Sequence, residues 1–375
     1  VDLTSYWAVV KKYINYCASQ KGCNQSVHAY VHGVTAVSLA YNGSILAPNG
    51  KIYMIPYTQA TALVWHYIDT NTGSVVPYTH GATLTQLAYI GGVLAPNGRI
   101  YMIPYNQAIL STWHYVDTNS NSVVSYSAVS ASPYSGGILA PNGKIYLIPN
   151  SNVATALVWH YIDTNTGSVV PYTHGATYVS GAYVGGVLAP NGRIYMIPNG
   201  QATALIWHYI DTNIGSVVAY THGATCVSGA YVGGVLAPNG RIYMAPYSQA
   251  TALVWHYIDT NTGSVVAYTH GATVVTGAYY GAVLAPNGRI YMIPNGQATA
   301  LIWHYIDTNI GSVVAYTHGV AAVANGYQTG TLASNGKIYL SPFNQSVSAT
   351  WHYINTRSNM SWDINICTSP FFNKL

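Results

Sequence analysis

The sequence predicts an all-β fold in which seven four-stranded units of about 48 residues close into a ring behind one short helix. Three observations lead there. The turn Asn-Gly followed by Lys or Arg recurs at Asn49, Asn97, Asn142, Asn191, Asn239, Asn287 and Asn335, in steps of 48, 45, 49, 48, 48 and 48 residues. Each copy is followed by Trp-His-Tyr. Inside the copies β-branched and aromatic residues dominate and Gly or Pro falls every few positions, so no segment there reads as helical. A seven-bladed β-propeller fits, since propellers typically carry about four to eight four-stranded blades around a channel. A β-helix or solenoid coil is the alternative.

Residues 1–25 come first. Thr4 or Ser5 can cap a helix of about three turns in which Tyr6, Trp7, Val10, Ile14 and Cys17 recur at helical spacing. So short a helix is expected to pack on the ring rather than in lipid. Ser26 to Gly33 then reads as a fourth strand standing before the first repeat. Either it closes the seventh blade, or one terminal strand is left to pair with the edge of a neighbouring molecule. The competing strand is a weak copy near Asn359 to Ile364. The ring is expected over residues 26–356, with a tail over 357–375.

Within a repeat, Gly-Gly-Val-Leu-Ala leads through Pro-Asn-Gly into Arg-Ile-Tyr-Met-Ile-Pro, and Asn-Gly between alternating apolar runs is the strongest short hairpin signal. Ala-Leu-Val-Trp-His-Tyr-Ile forms the third strand, Asp-Thr-Asn-Thr-Gly the next turn and Ser-Val-Val-Ala-Tyr-Thr-His the fourth. One residue is added between Asn142 and Trp159 and three are missing between Trp113 and Asn142, changes that belong to loops. The stretch from Leu188 to Gly223 recurs unchanged from Leu284 to Gly319. Blade length, strand number and the Leu-Ala-Pro-Asn-Gly-Arg-Ile-Tyr-Met-Ile-Pro core resemble the seven-bladed propeller superfamily, and loosely kelch-type or tachylectin-type repeats. The chain departs from kelch in placing its paired glycines (Gly91-Gly92, Gly185-Gly186, Gly233-Gly234) before the first strand, and from WD repeats in lacking Trp-Asp at the third. The resemblance implies a fold and no function.

Composition narrows the function classes. Only 5% of the chain is charged, where about 25% is usual, and none of it is Glu, while 36 residues are Tyr and 36 are Gly. Disordered chains are poor in aromatics and rich in charge, so disorder is excluded. No apolar run approaches the roughly 18 residues of a transmembrane helix. A net charge of +4 comes from twelve dispersed basic residues, which build no nucleic-acid patch.

Cys17 and Cys23 flank a Lys-Gly turn and could close a small loop, with Cys367 the competing partner for either. Cys226 stands where other copies have Leu84, Tyr178 or Val274 and reads as a packed hydrophobe. A disulfide would fit an oxidising compartment. Asn24, Asn42, Asn344 and Asn359 stand in Asn-X-Ser sequons, as candidate glycosylation sites or as products of composition. The start at Val1 without a signal pattern reads as a processed chain, so an extracellular, cell-surface or virion-surface location is expected.

The signature pairs Trp65 and His66, Trp113 and His114, Trp159 and His160, Trp207 and His208, Trp255 and His256, Trp303 and His304, and Trp351 and His352 are either structural or candidate sugar-binding residues. Equivalent histidines on seven blades lie far apart unless they line the channel, so packing is expected over metal binding, and no cofactor is expected. Each of Asp69, Asp117, Asp163, Asp211, Asp259 and Asp307 ends a third strand where a short acceptor caps turn N–H groups, and Asn355 replaces it in the last copy. The basic residue after each Asn-Gly could pair with that Asp. With neither a unique charged cluster nor a long loop to break the symmetry, the chain is expected not to be an enzyme. The leading expectation is a structural propeller that packs with its own copies into a fibre, sheath or coat, glycosylated, and the alternative is a multivalent lectin with repeated sites.

Overall fold

A computed structural model describes residues 2–19, 25–129, 133–150 and 157–356. Among them the chain forms seven four-stranded antiparallel sheets. In the first, β2 (Tyr41–Leu46), β3 (Lys51–Pro56), β4 (Val64–Asp69) and β5 (Val75–Thr79) pair in chain order, and the next five sheets repeat the pattern. The first strands of successive sheets lie side by side, and that of the last blade meets β2, so the ring closes. The seventh blade takes its outer strand from the other end of the chain. There β1 (Ser26–Val31) pairs with the third strand of that blade from Ser26 against Asn355 to Val31 against Thr350. The closing reading of the N-terminal strand therefore holds, and the weak copy near Asn359 to Ile364 lies outside the described residues.

Apolar side chains pack between adjacent sheets. All seven tryptophans of Trp-His-Tyr are fully buried, and truncating one to Ala should cost about 3–5 kcal/mol. The inner strands approach so closely that a Cβ on Gly43 would lie 2.8 Å from the Cα of Gly91, at a φ of +114° that favours glycine. The Asn of each Asn-Gly turn fastens its blade to the next: its side-chain nitrogen donates to the carbonyl of Thr118 from Asn49 (2.7 Å), of Thr260 from Asn191 (3.1 Å), and of Thr70 from Asn335 (3.1 Å).

Two local expectations change. The N-terminal helix α1 (Leu3–Ser19) spans 17 residues rather than three turns, and its cap is Asp2, whose carboxylate accepts from the Thr4 N–H at 3.0 Å and the Ser5 hydroxyl at 2.5 Å. Leu3, Trp7, Val10 and Ile14 form its buried stripe, with Ile14 against the turn at Gly288. The repeats are also not free of helix. Single 3₁₀ turns such as Thr58–Thr61 and Gly200–Thr203 follow the second strand, because a buried Gln there accepts from the interblade loop and donates to the start of the third strand.

Candidate functional site

The two faces of the ring differ in charge. The Pro-Asn-Gly and Thr-Asn turns sit at the same end of each blade, since the Thr70 N–H and hydroxyl both donate to the Gly50 carbonyl. Every described charge of the ring is there: the seven basic residues open second strands, six Asp close third strands, and α1, with Asp2, Lys11 and Lys12, packs on that face too. Each basic residue lies over a third-strand Tyr, from Lys51 over Tyr67 at 4.4 Å to Lys337 over Tyr353 at 4.3 Å. Ion pairing is secondary to this: Arg193–Asp211 and Arg289–Asp307 are each 3.8 Å apart. The opposite face has no described charge. Leu63, Leu157, Leu205, Leu253 and Leu301 stand out from it with 70–87% of their surface exposed, and Val37, Val179, Val227, Val275 and Val323 are exposed in the interblade loops beside them.

The Trp-His-Tyr residues do not form a binding surface. Their tryptophans are buried and cannot stack on a sugar, which corrects the candidate role given to Trp65, Trp113, Trp159, Trp207, Trp255, Trp303 and Trp351. Each neighbouring His bonds through Nδ1 to the Tyr that opens the first strand of its own blade. The pairs include His114 with Tyr89 at 2.7 Å, His208 with Tyr183 at 2.6 Å, and His66 with Tyr41. Burial pushes His66, His114, His208, His256, His304 and His352 down to about 4, and the repulsion a second imidazole nearby would exert on their charged form adds to the effect. Burial also lowers His160. A second set lies flat on the tryptophans, as His80 does on Trp65 with ring centroids 4.0 Å apart. There Nδ1 accepts the Ala82 N–H and Nε2 donates to the Ala62 carbonyl. No group of three or more metal-ligating side chains forms among the described residues.

The repeat is broken at the channel. The second position of the inner strand reads Asn42, Ile90, Ser135, Val184, Val232, Tyr280 and Gln328, and the first six line the channel. Where blade seven meets blade one, hydroxyls replace the small and apolar residues of other copies: Ser44 bonds Thr331 at 2.7 Å and Ser341 at 2.6 Å, and Thr329 donates to Ser341 at 2.9 Å. Gln328 is 7% exposed and its Oε1 is buried without a partner.

Above the channel, on the uncharged face, the residue after each second strand also varies. It is Tyr57, Tyr105, Asn150, Asn199, Tyr247, Asn295 or Phe343. Tyr57 touches Tyr105 at 6.0 Å and Phe343 at 5.9 Å between ring centroids, and Tyr247 meets Tyr280 edge-on at 6.1 Å. Burial, with Tyr247, Tyr57 and Tyr105 nearby, holds the Tyr280 hydroxyl well above the phenol range. The free space below this collar is only about 50 Å³, enough for a few waters.

No family model and no curated protein matches the sequence. Solved structures do. Virginiamycin B lyase from Staphylococcus aureus superposes with a TM-score of 0.63 at 13% identity, over 88% of this chain and 99% of that one. Hydrazine synthase of Kuenenia stuttgartiensis gives 0.63 at 12% over 88% and 100%, and a chain of the mitotic checkpoint complex 0.60 at 10% over 91% and 94%. The likeness is one of fold. It overturns the expectation that the chain is not an enzyme, because a lyase is built on the same ring. The repeat is nonetheless broken in the channel and at its mouth, by uncharged residues rather than by a charged cluster or a long loop. Those residues stand outside the repeat signature, which marks what the blades share. Read down the column after each second-strand Pro, the chain shows Tyr, Tyr, Asn, Asn, Tyr, Asn and Phe amid near-identity.

Among the sequons, Asn42 lies on the inner strand at 4% exposure, where a folded ring has no room for a glycan. Asn344 opens a 3₁₀ turn of the uncharged face, its side-chain nitrogen donating to the Ala324 carbonyl at 3.0 Å. Asn24, Asn359, Cys23, Cys367 and the side chain of Cys17 lie outside the described residues.

Proposed function

We propose that the protein is a structural propeller at an extracellular or particle surface, whose working form is an assembly of its own copies in a fibre, sheath or coat. One observation carries this reading: the charge of the described residues is confined to one face, and the other presents protruding leucines and valines with no described charge. An apolar, repeated rim of this kind gains by being covered, and like faces of two copies can meet without burying an ion. Head-to-tail stacking would set the leucines against the Lys, Arg and Asp turns, so pairing of like faces is the first contact expected in any larger array. Sedimentation velocity with negative-stain imaging tests it. Oligomers or ordered particles that fall apart in a Leu205→Glu, Leu253→Glu, Leu301→Glu triple variant support the reading. A wild-type chain that stays monomeric at high concentration would end it.

A further inference from the structure

We propose that the mouth of the channel is a single binding site for a neutral saccharide, with its aromatic wall on blades seven, one and two. The wall is the run Phe343, Tyr57 and Tyr105, each partly exposed and each in contact with the next. Tyr280 rises from the inner strand of blade six beside Tyr247. Asn199 on blade four stands across the mouth from this wall, and Asn295 on blade six, 5% exposed, lies beside it. Each spends its side-chain N–H on the next blade, bonding the Tyr231 carbonyl at 3.1 Å and the Tyr327 carbonyl at 2.9 Å. Their Oδ1 atoms accept nothing from a described residue, so free amide acceptors share the rim of the mouth with the aromatic rings.

That pairing matches the two kinds of surface on a pyranose, whose C–H face stacks on rings while its hydroxyls donate to carbonyl-type oxygens. The ligand class is narrowed further by charge. This face has no described cation or anion, so a phosphate, a carboxylate or an ammonium group would lose its hydration for nothing in return. A purely apolar guest is disfavoured by the same amides, which would be desolvated unpaired. The narrow channel keeps the sugar lying across the opening. At the matching position of blade seven the Oε1 of Gln328 is buried and has no described partner. The sites expected from the repeats would number several per ring. This one depends on residues that differ between blades, so there is one per chain.

The test is calorimetric titration of the full chain, dilute enough to be monomeric, with methyl glycosides of neutral hexoses and N-acetylhexosamines. One site per chain is expected, with affinity falling about ten-fold in Tyr105→Ala and in Phe343→Ala and kept in Tyr57→Phe, which preserves the ring face. Thermal unfolding shows whether the variants are intact. Should they not fold, nitration of the wild-type chain serves instead, and bound glycoside should protect Tyr57 and Tyr105. Absence of saturable binding, several sites per chain, affinity unchanged in Tyr105→Ala, or no protection from nitration would each overturn the proposal.

Discussion

Asn335 donates its side-chain N–H to the carbonyl of Thr70, 3.1 Å away, across the junction where the last blade meets the first. The same amide oxygen accepts the Lys337 N–H at 3.1 Å, so one residue holds its own turn and the neighbouring one. Removing it strands a carbonyl between blades, which costs about 1–3 kcal/mol. Asn335→Ala should therefore lower the urea midpoint without changing the slope of unfolding, and Asn191→Ala, which removes the same bond within the ring, should match it. A markedly larger loss at Asn335 would mean that closure depends on more than this repeated bond.

Acid should destabilise the ring well before its carboxylates titrate. The six histidines held at about 4 bind protons more weakly folded than unfolded, where imidazole titrates near 6.5. Between those values the unfolded chain carries more protons, so stability is complete above about pH 6.5 and falls as pH drops toward 4. The slope is up to about 1.4 kcal/mol per pH unit for each histidine. Protonating Nδ1 also removes the acceptor for the Tyr hydroxyl. Unfolding temperatures measured from pH 7.5 to 4 should fall steeply below pH 6, and a flat profile would contradict the buried pairs.

The basic residues should be held by rings more than by carboxylates. Arg193 lies 4.4 Å over Tyr209, while its nearest approach to Asp211 is 3.8 Å and partly exposed. Asp211 mainly caps its turn by accepting the Asn213 N–H at 3.1 Å, which an amide oxygen can do equally well. Asp211→Asn is expected to change stability by less than about 0.5 kcal/mol, and Arg193→Gln to cost about 0.5–1 kcal/mol. Chemical denaturation of the two single variants orders them, and the reverse order would make the ion pair the stronger contact.

The proposed self-association and the proposed saccharide site would compete for the same face. If both proposals hold, a saturating glycoside should shift sedimentation toward the monomer in proportion to its occupancy, as linkage requires. Rim variants that disperse the assembly should in turn raise apparent affinity for the glycoside while leaving the Tyr105→Ala effect in place. Sedimentation with and without glycoside decides this, and two equilibria that ignore one another would place the saccharide or the contact elsewhere.

The blade was legible because its signals are local. Asn-Gly with alternating apolar neighbours specifies a hairpin whatever surrounds it, and a seven-fold repeat leaves few ways to bury so many Trp and Tyr side chains. Choosing β1 over the weak C-terminal copy was legible only as a preference, since both fit the strand pattern. The sequence pointed to Thr4 or Ser5 as the cap because both are capping residue types, and only the geometry of the first turn selects Asp2. At the candidate site, Trp-His-Tyr drew attention by repetition, although repetition marked what every blade must bury.

The sequence by itself determined the architecture: the number of blades, their strands, their turns and the scarcity of charge. Tertiary structure alone decided where that charge lies and which residues converge. Both hairpin turns of a blade fall at one end, so antiparallel pairing gathers the Lys, Arg and Asp residues of seven distant segments onto one face. Ring closure likewise brings Phe343 beside Tyr57, residues 286 positions apart in the chain and 5.9 Å apart between ring centroids. A linear pattern carries local propensity, while the meeting of distant positions is set by how the sheets close.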